Sequence, residues 1–262
     1  MAEYLFGFAF LAYAGAAVAY AVDARHSGSA GRAATWGVRL GWLLQTALLV
    51  YQAARSDGFP WATWAGSLNL FVWLVVSVYL VWGCRWRYRL LGLAVMPLAA
   101  ALLVIARLGG GTGAGAHSGY STAFLVVHVG LLSFAFAAFT LAAALSALYL
   151  WQERRLKAHR PAALLGRAPS LLTLETLTGR TIAVALPALT AGIVAGLVRL
   201  RNEGGPVDAL MAVTLGAWAV YGSYLVRRYE AGWHGRRAAY LALAGFAFVV
   251  VARLGLQAGH FS

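Results

Sequence analysis

The chain has 262 residues, 61% of them hydrophobic and 11% charged, with a mean hydropathy of +0.72; soluble domains carry about a quarter charged residues, so this composition excludes a soluble globular protein and indicates an integral membrane one. The 21 Lys and Arg against 8 Asp and Glu would suit nucleic acid, but most of these cations punctuate the ends of apolar segments, as helix anchors do. No polar segment interleaves them with aromatics, and no nucleic-acid partner is expected.

Requiring about 20 apolar residues per helical span, the sequence predicts an all-α polytopic bundle in one domain, residues 1–262, with spans at about 2–22, 34–54, 63–83, 89–107, 121–152, 179–200, 207–226 and 236–257. Residues 1–20 lack a basic leading region and are expected to remain as the first span rather than be cleaved as a signal peptide. The connections alternate in charge. The first carries Arg25 and Arg32, the third Arg85, Arg87 and Arg89, the fifth Arg154, Arg155, Lys157, Arg160 and Arg167, and the seventh Arg227, Arg228, Arg236 and Arg237; the second, fourth and sixth are poor in cations. The positive-inside rule makes the odd connections cytoplasmic and both termini external. His26, His159 and His234 are then inside, and His117, His128 and His260 at or near the outer face.

Span two contains Gln45 and Gln52 and span three Asn69; amides in hydrocarbon bond to neighbouring helices or contact a ligand. Trp61 and Trp64 at the second connection suit either an interfacial belt or a wall for a flat aromatic ligand. The Gly-rich stretch from Gly109 to Gly119 has no phosphate-loop pattern and reads as an external linker or flap. The fifth connection, read as residues 152–178, is basic with interspersed leucines and is expected to lie along the anionic inner leaflet, with docking of a protein partner as the alternative.

No nucleophile constellation is visible, and all eight acids fall near span ends, so no enzymatic activity is expected. Cys84 is the single cysteine, which excludes an internal disulfide and leaves any metal to His, Met or backbone groups. His128 differs from the other histidines in lying inside an apolar segment, where an unpartnered imidazole is costly. It is either a hydrogen-bonded structural residue or a ligand. His260 follows span eight on the same side, and Arg253 stands seven residues, about two turns, before it. Two neutral imidazoles and a guanidinium near the outer face would suit an iron tetrapyrrole, with His128 and His260 on the metal and Arg253 on a propionate. Arg107, Arg199 and Arg253 could equally snorkel to lipid phosphates.

An ordered series of segments carries a family resemblance: Val127-His128-Val129 with Leu132-Ser-Phe-Ala-Phe-Ala-Ala-Phe139, Leu148-Tyr-Leu-Trp-Gln-Glu-Arg154, Leu174-Glu-Thr-Leu-Thr-Gly-Arg180, Leu186-Pro-Ala-Leu-Thr-Ala-Gly-Ile193, Gly235-Arg-Arg-Ala238 and Gly259-His260. Together they resemble the CcsA/ResC/CcmC superfamily of cytochrome c assembly proteins and, within it, the HemX-like branch. The resemblance implies that His128 and His260 are the two external haem-ligating histidines of a b-type, non-covalently bound haem. The connection Leu200–Asp208 is short and lacks the family's tryptophan-rich haem-presenting motif. A histidine of some members is replaced near Tyr224-Leu-Val226, and Gln45 stands where an inner histidine would be. These departures count against haem passage from the inner side and against delivery to apocytochrome, and they favour the HemX-like branch, associated with haem biosynthesis. The resemblance thus implies a haem-handling protein of the bacterial cytoplasmic membrane, for trafficking, chaperoning or sensing. Its partners would be haem, the bilayer and a cytochrome c assembly component or tetrapyrrole-pathway enzyme. The alternative is a non-catalytic regulator that recruits a cytosolic enzyme such as glutamyl-tRNA reductase. A transporter is disfavoured, since the spans show no internal repeat and few intramembrane charges.

Overall fold

The computed structural model describes residues 1–25, 30–56, 61, 63–83, 89–111, 122–158, 169–203 and 209–258. These form eight helices: α1 (Ala2–Arg25), α2 (Ala30–Ala53), α3 (Trp64–Gly83), α4 (Arg89–Leu108), α5 (Thr122–Lys157), α6 (Leu171–Glu203), α7 (Ala209–Tyr229) and α8 (Arg236–Ala258). Among the described residues there is no strand, and α1, α3, α4, α5, α6 and α7 are each long and apolar enough to cross a bilayer. The protein is a polytopic all-α membrane protein. α2 misses that standard because Arg39, Gln45 and Gln52 lower its hydropathy, but both glutamines are buried, on the side turned away from lipid.

The helices form two compact units, residues 1–129 with 161–169 and residues 130–160 with 170–262. In the first, α1 buries Phe6, Ala9, Tyr13, Ala16 and Tyr20, and α2 buries Gly31, Ala34, Val38, Gly41, Gln45, Leu48 and Gln52. Both series step alternately by three and four residues, the spacing of a seam along which two helices interdigitate. Small residues admit large ones along it: a Cβ at Gly41 would stand 2.6 Å from the Tyr13 ring, and one at Gly37 would stand 3.3 Å from Ala16 Cβ. With no hydrophobic drive between helices inside lipid, such close approach is what holds them together. The opposite faces, with Tyr4, Phe8, Leu11 and Val18 on α1 and Trp36, Leu40, Leu43 and Val50 on α2, are exposed. α3 and α4 complete this unit, and Gly92 of α4 lets Tyr79 donate a hydrogen bond to Tyr20 at 3.0 Å, since a Cβ there would press on both phenols.

The second unit packs around Ala135, Ala138, Phe139 and Ala142 of α5, Ile182, Ala185 and Leu189 of α6, Tyr221 and Tyr224 of α7, and Ala238 and Ala242 of α8. Phe139 stacks on Tyr221 at 3.7 Å between centroids and 3° between planes. Gly192 makes room for Leu132, and Gly216 for Phe248. Pro187 lies inside α6; nearby, Thr190 returns a hydrogen bond to the Leu186 carbonyl at 2.8 Å and accepts one from the Trp218 indole of α7 at 2.9 Å.

One expectation is corrected. The connection read as 152–178 is helical over much of its length, because α5 continues to Lys157 and α6 begins at Leu171. An i,i+4 pair between Glu153 and Lys157 at 2.6 Å supports the extension of α5. Ser170 caps α6, its Oγ accepting the Thr173 N–H at 3.2 Å. Residues 159–168, including His159, Arg160 and Arg167, lie outside the described residues.

Candidate functional site

His128 stands six residues into α5, about 9 Å along the axis from its first residue. Its ring stacks on Phe124, one turn earlier, at 5.2 Å and 12°. The parallel stack fixes the plane of the imidazole, while partial exposure beside the exposed Val126 and Val127 leaves an apolar surface around it. An imidazole held this way offers a nitrogen donor beside apolar neighbours. Arg253 lies on α8, in the second unit. His260 and His117 lie outside the described residues. Among the described residues no three of His, Cys, Asp or Glu gather to hold a metal ion.

The intramembrane amides serve helix association. Gln45 accepts from the Tyr13 hydroxyl at 2.9 Å and donates to the Asn69 side-chain and backbone oxygens at 2.8 and 3.0 Å, so one buried side chain joins α1, α2 and α3. One turn earlier along α2, Trp42 stacks on Trp73 at 5.8 Å. The two indoles donate to Ser77 and Thr46 at 2.7 and 2.8 Å, and those hydroxyls bond back to the carbonyls of Trp73 and Trp42. This closed ring of bonds satisfies every polar atom that the pair of tryptophans brings into the bilayer.

At the other end of α2, Gln52 donates to the Gly111 carbonyl at 2.8 Å and accepts from the Trp61 indole at 3.4 Å. Trp64 lies against Gly109, where a Cβ could not fit, yet is half exposed. The two tryptophans thus differ. Trp61 is tied into the amide network, whereas Trp64 sits as an interfacial belt residue does. The first turn of the Gly-rich connection is ordered by these contacts, with Gly110 at φ +79°; its remainder lies outside the described residues. Arg107 pairs with Glu3 at 2.7 Å, both exposed.

A second polar centre, whose residues the sequence marked only as parts of separate resemblance segments, lies on the arginine-rich side of the second unit. Glu175 of α6 accepts Arg228 Nη1 of α7 at 3.2 Å, His234 Nδ1 at 2.7 Å and the backbone N–H of Gly235 at 3.0 Å. Gly179, one turn further along α6, gives the Arg228 guanidinium its place, since a Cβ there would stand 2.6 Å from Nε. Gly235 adopts φ +66°, a left-handed conformation that favours glycine, with the Tyr149 hydroxyl 3.0 Å from where its Cβ would be. Arg227 lies 4.5 Å over Trp233 and its carbonyl accepts the Trp233 N–H at 3.0 Å. Three of the sequence segments that carry the resemblance, those around Glu175, Gly235 and Tyr149, therefore meet in one clamp that joins α5, α6, α7 and α8. The signal is a carboxylate with a glycine four residues later, Glu175 and Gly179, near the start of a helix in a chain with only eight acids.

A family model described as cytochrome c assembly protein matches residues 61–260. Protein HemX of Brevibacillus brevis is 32% identical over 193 residues, covering 72% of this chain and 71% of that protein. The cytochrome c biogenesis protein CcsA of Synechococcus sp. (strain RCC307) is 27% identical over 243 residues, covering 82% and 78%. That of Gloeothece citriformis (strain PCC 7424) is 26% identical over 274 residues, covering 85% and 84%. No solved structure matches the chain at a significant level.

Proposed function

The chain belongs to the cytochrome c assembly protein family, and from that premise we propose that it binds and handles haem in the bacterial cytoplasmic membrane, in support of cytochrome c biogenesis or haem synthesis, without catalysing a reaction. The observation that carries this reading is the extent of the family match, which runs from residue 61 to residue 260 and so takes in both His128 and His260. In this reading His128 and His260 would hold the iron of a non-covalent haem through their imidazole nitrogens, and Arg253 would neutralise a propionate. Bound haem supplies a redox-active iron and two carboxylates. The chain's own residues bind and orient it: Phe124 holds the His128 ring plane, and apolar neighbours limit access of water to the imidazole. The amide crosslink at Gln45 and the short Leu200–Asp208 connection separate this chain from an arrangement with a second, inner pair of ligands. The assignment is therefore one haem at the outer face.

The test is to purify the protein in mild detergent from cells with ample haem and record the absorption spectra of the oxidised and reduced forms. A low-spin, six-coordinate spectrum at about one haem per chain supports the reading. Protein that neither copurifies with haem nor takes it up when haem is added contradicts it.

A further inference from the structure

On the same arginine-rich side of the second unit, two guanidinium groups from different helices meet at one hydroxyl. Arg236, the first residue of α8, donates from Nη2 to the Tyr240 hydroxyl at 3.1 Å, and its guanidinium carbon lies 5.3 Å from that ring's centroid. Arg154, in the last turn of α5, is close enough to act electrostatically on the same hydroxyl. Arg154, Arg236 and Tyr240 are all exposed. Their neighbours add charge of the same sign. Arg155 lies 5.3 Å from the Trp151 ring centroid, and Arg237 is exposed. The nearby carboxylate, Glu153, acts on Arg236 at a distance and is itself paired with Lys157 at 2.6 Å. Two like charges drawn to a neutral hydroxyl repel one another, and an anion that accepts from both planar forks relieves that repulsion.

The surface next to this cationic pair identifies the anion. Tyr240, Ala244 and Phe248 follow at intervals of four residues and are exposed on one face of α8, two rings with a small residue between them. Tyr240 lies about 6 Å along α8 from its first residue, the depth at which a head group gives way to hydrocarbon. We propose that Arg154, Arg236 and Tyr240 form a site for the phosphate of an anionic glycerophospholipid, whose acyl chain lies along Ala244 and Phe248. A soluble phosphate would use the same donors but would gain nothing from the apolar stripe.

The experiment uses the full-length protein in detergent, with native mass spectrometry to count bound lipid. Phosphatidylglycerol, phosphatidylcholine of the same acyl chains and inorganic phosphate are added in separate arms. Phosphatidylglycerol should bind about tenfold better than phosphatidylcholine, and the Arg154→Gln/Arg236→Gln double variant should lose about that factor, two interfacial cations having been removed. Tyr240→Phe, which leaves both charges in place, should weaken binding several-fold. Arg201→Gln, in the last turn of α6, should leave it unchanged. Thermal unfolding midpoints show whether each variant is folded, and Tyr240→Phe carries the test if the double variant is not. Equal phosphatidylglycerol binding by the parent and the folded variants, equal loss in Arg201→Gln, or displacement of the lipid by millimolar inorganic phosphate would each overturn the site.

Discussion

Glu175 on α6 accepts the backbone N–H of Gly235 at 3.0 Å across 60 residues of sequence, so a carboxylate from one helix caps the start of another. Its second oxygen takes Arg228 and His234, and the Glu175 and Arg228 side chains are only 12% and 11% exposed. Glu175→Ala removes all three hydrogen bonds at once and leaves a nearly buried guanidinium without its carboxylate, which costs roughly 3 kcal/mol. A thermal unfolding midpoint well below that of the parent, measured in detergent, is the expected result.

The same clamp predicts a coupling between Gly179 and Arg228. Gly179→Val puts a branched side chain where the guanidinium lies, an overpacking worth about 1 to 3 kcal/mol. Once Arg228→Ala has removed the obstacle, the valine should cost much less, so the two substitutions should be clearly non-additive in a double-mutant cycle of unfolding midpoints. Additive effects would show that the glycine serves something other than the arginine.

Along the α1–α2 seam, Gln45→Leu leaves the Tyr13 hydroxyl and the Asn69 side chain without their shared partner. The expected loss is about 1 kcal/mol, the scale of interhelical hydrogen bonds in bilayers. Haem content should not change, because the amide is a crosslink and not a ligand. A spectral change in this variant would return the residue to the ligand-contacting role that the sequence left open.

The orientation is tested by labelling. In a Cys84→Ser background, a membrane-impermeant maleimide added to intact spheroplasts should modify Ser118→Cys in the fourth connection and not Ala231→Cys in the seventh. Both should react after lysis. The reverse pattern would invert the topology drawn from the arginines.

The helix limits were legible because each is set by a strong local signal, an apolar run closed by arginines, as at Arg25, Arg89, Arg154 and Arg227. The misplaced limits, at Lys157 and Leu171, lie where a helix continues past the membrane, supported by the Glu153–Lys157 pair and the Ser170 cap rather than by hydropathy. Of the amides expected either to join helices or to contact a ligand, Gln45 and Asn69 join α2 to α3, whereas Gln52 holds Gly111 and Trp61 in the connections. What a linear reading of Tyr13 and Gly41 could not give is their partnership, which depends on two antiparallel stripes coming into register. Glu175 was missed for a similar reason: its three partners come from α7 and the turn before α8. Of the candidate ligand set, His128 stacks on Phe124 and Arg253 belongs to α8, while His260 lies outside the described residues.

The haem assignment is tested most directly by the absorption spectrum of the purified parent beside His128→Ala and His260→Ala. The account predicts a low-spin spectrum in the parent that is converted to a high-spin or haem-depleted one in each variant, while Gln45→Leu retains the parental bands. Low-spin spectra of full intensity in both histidine variants would contradict it.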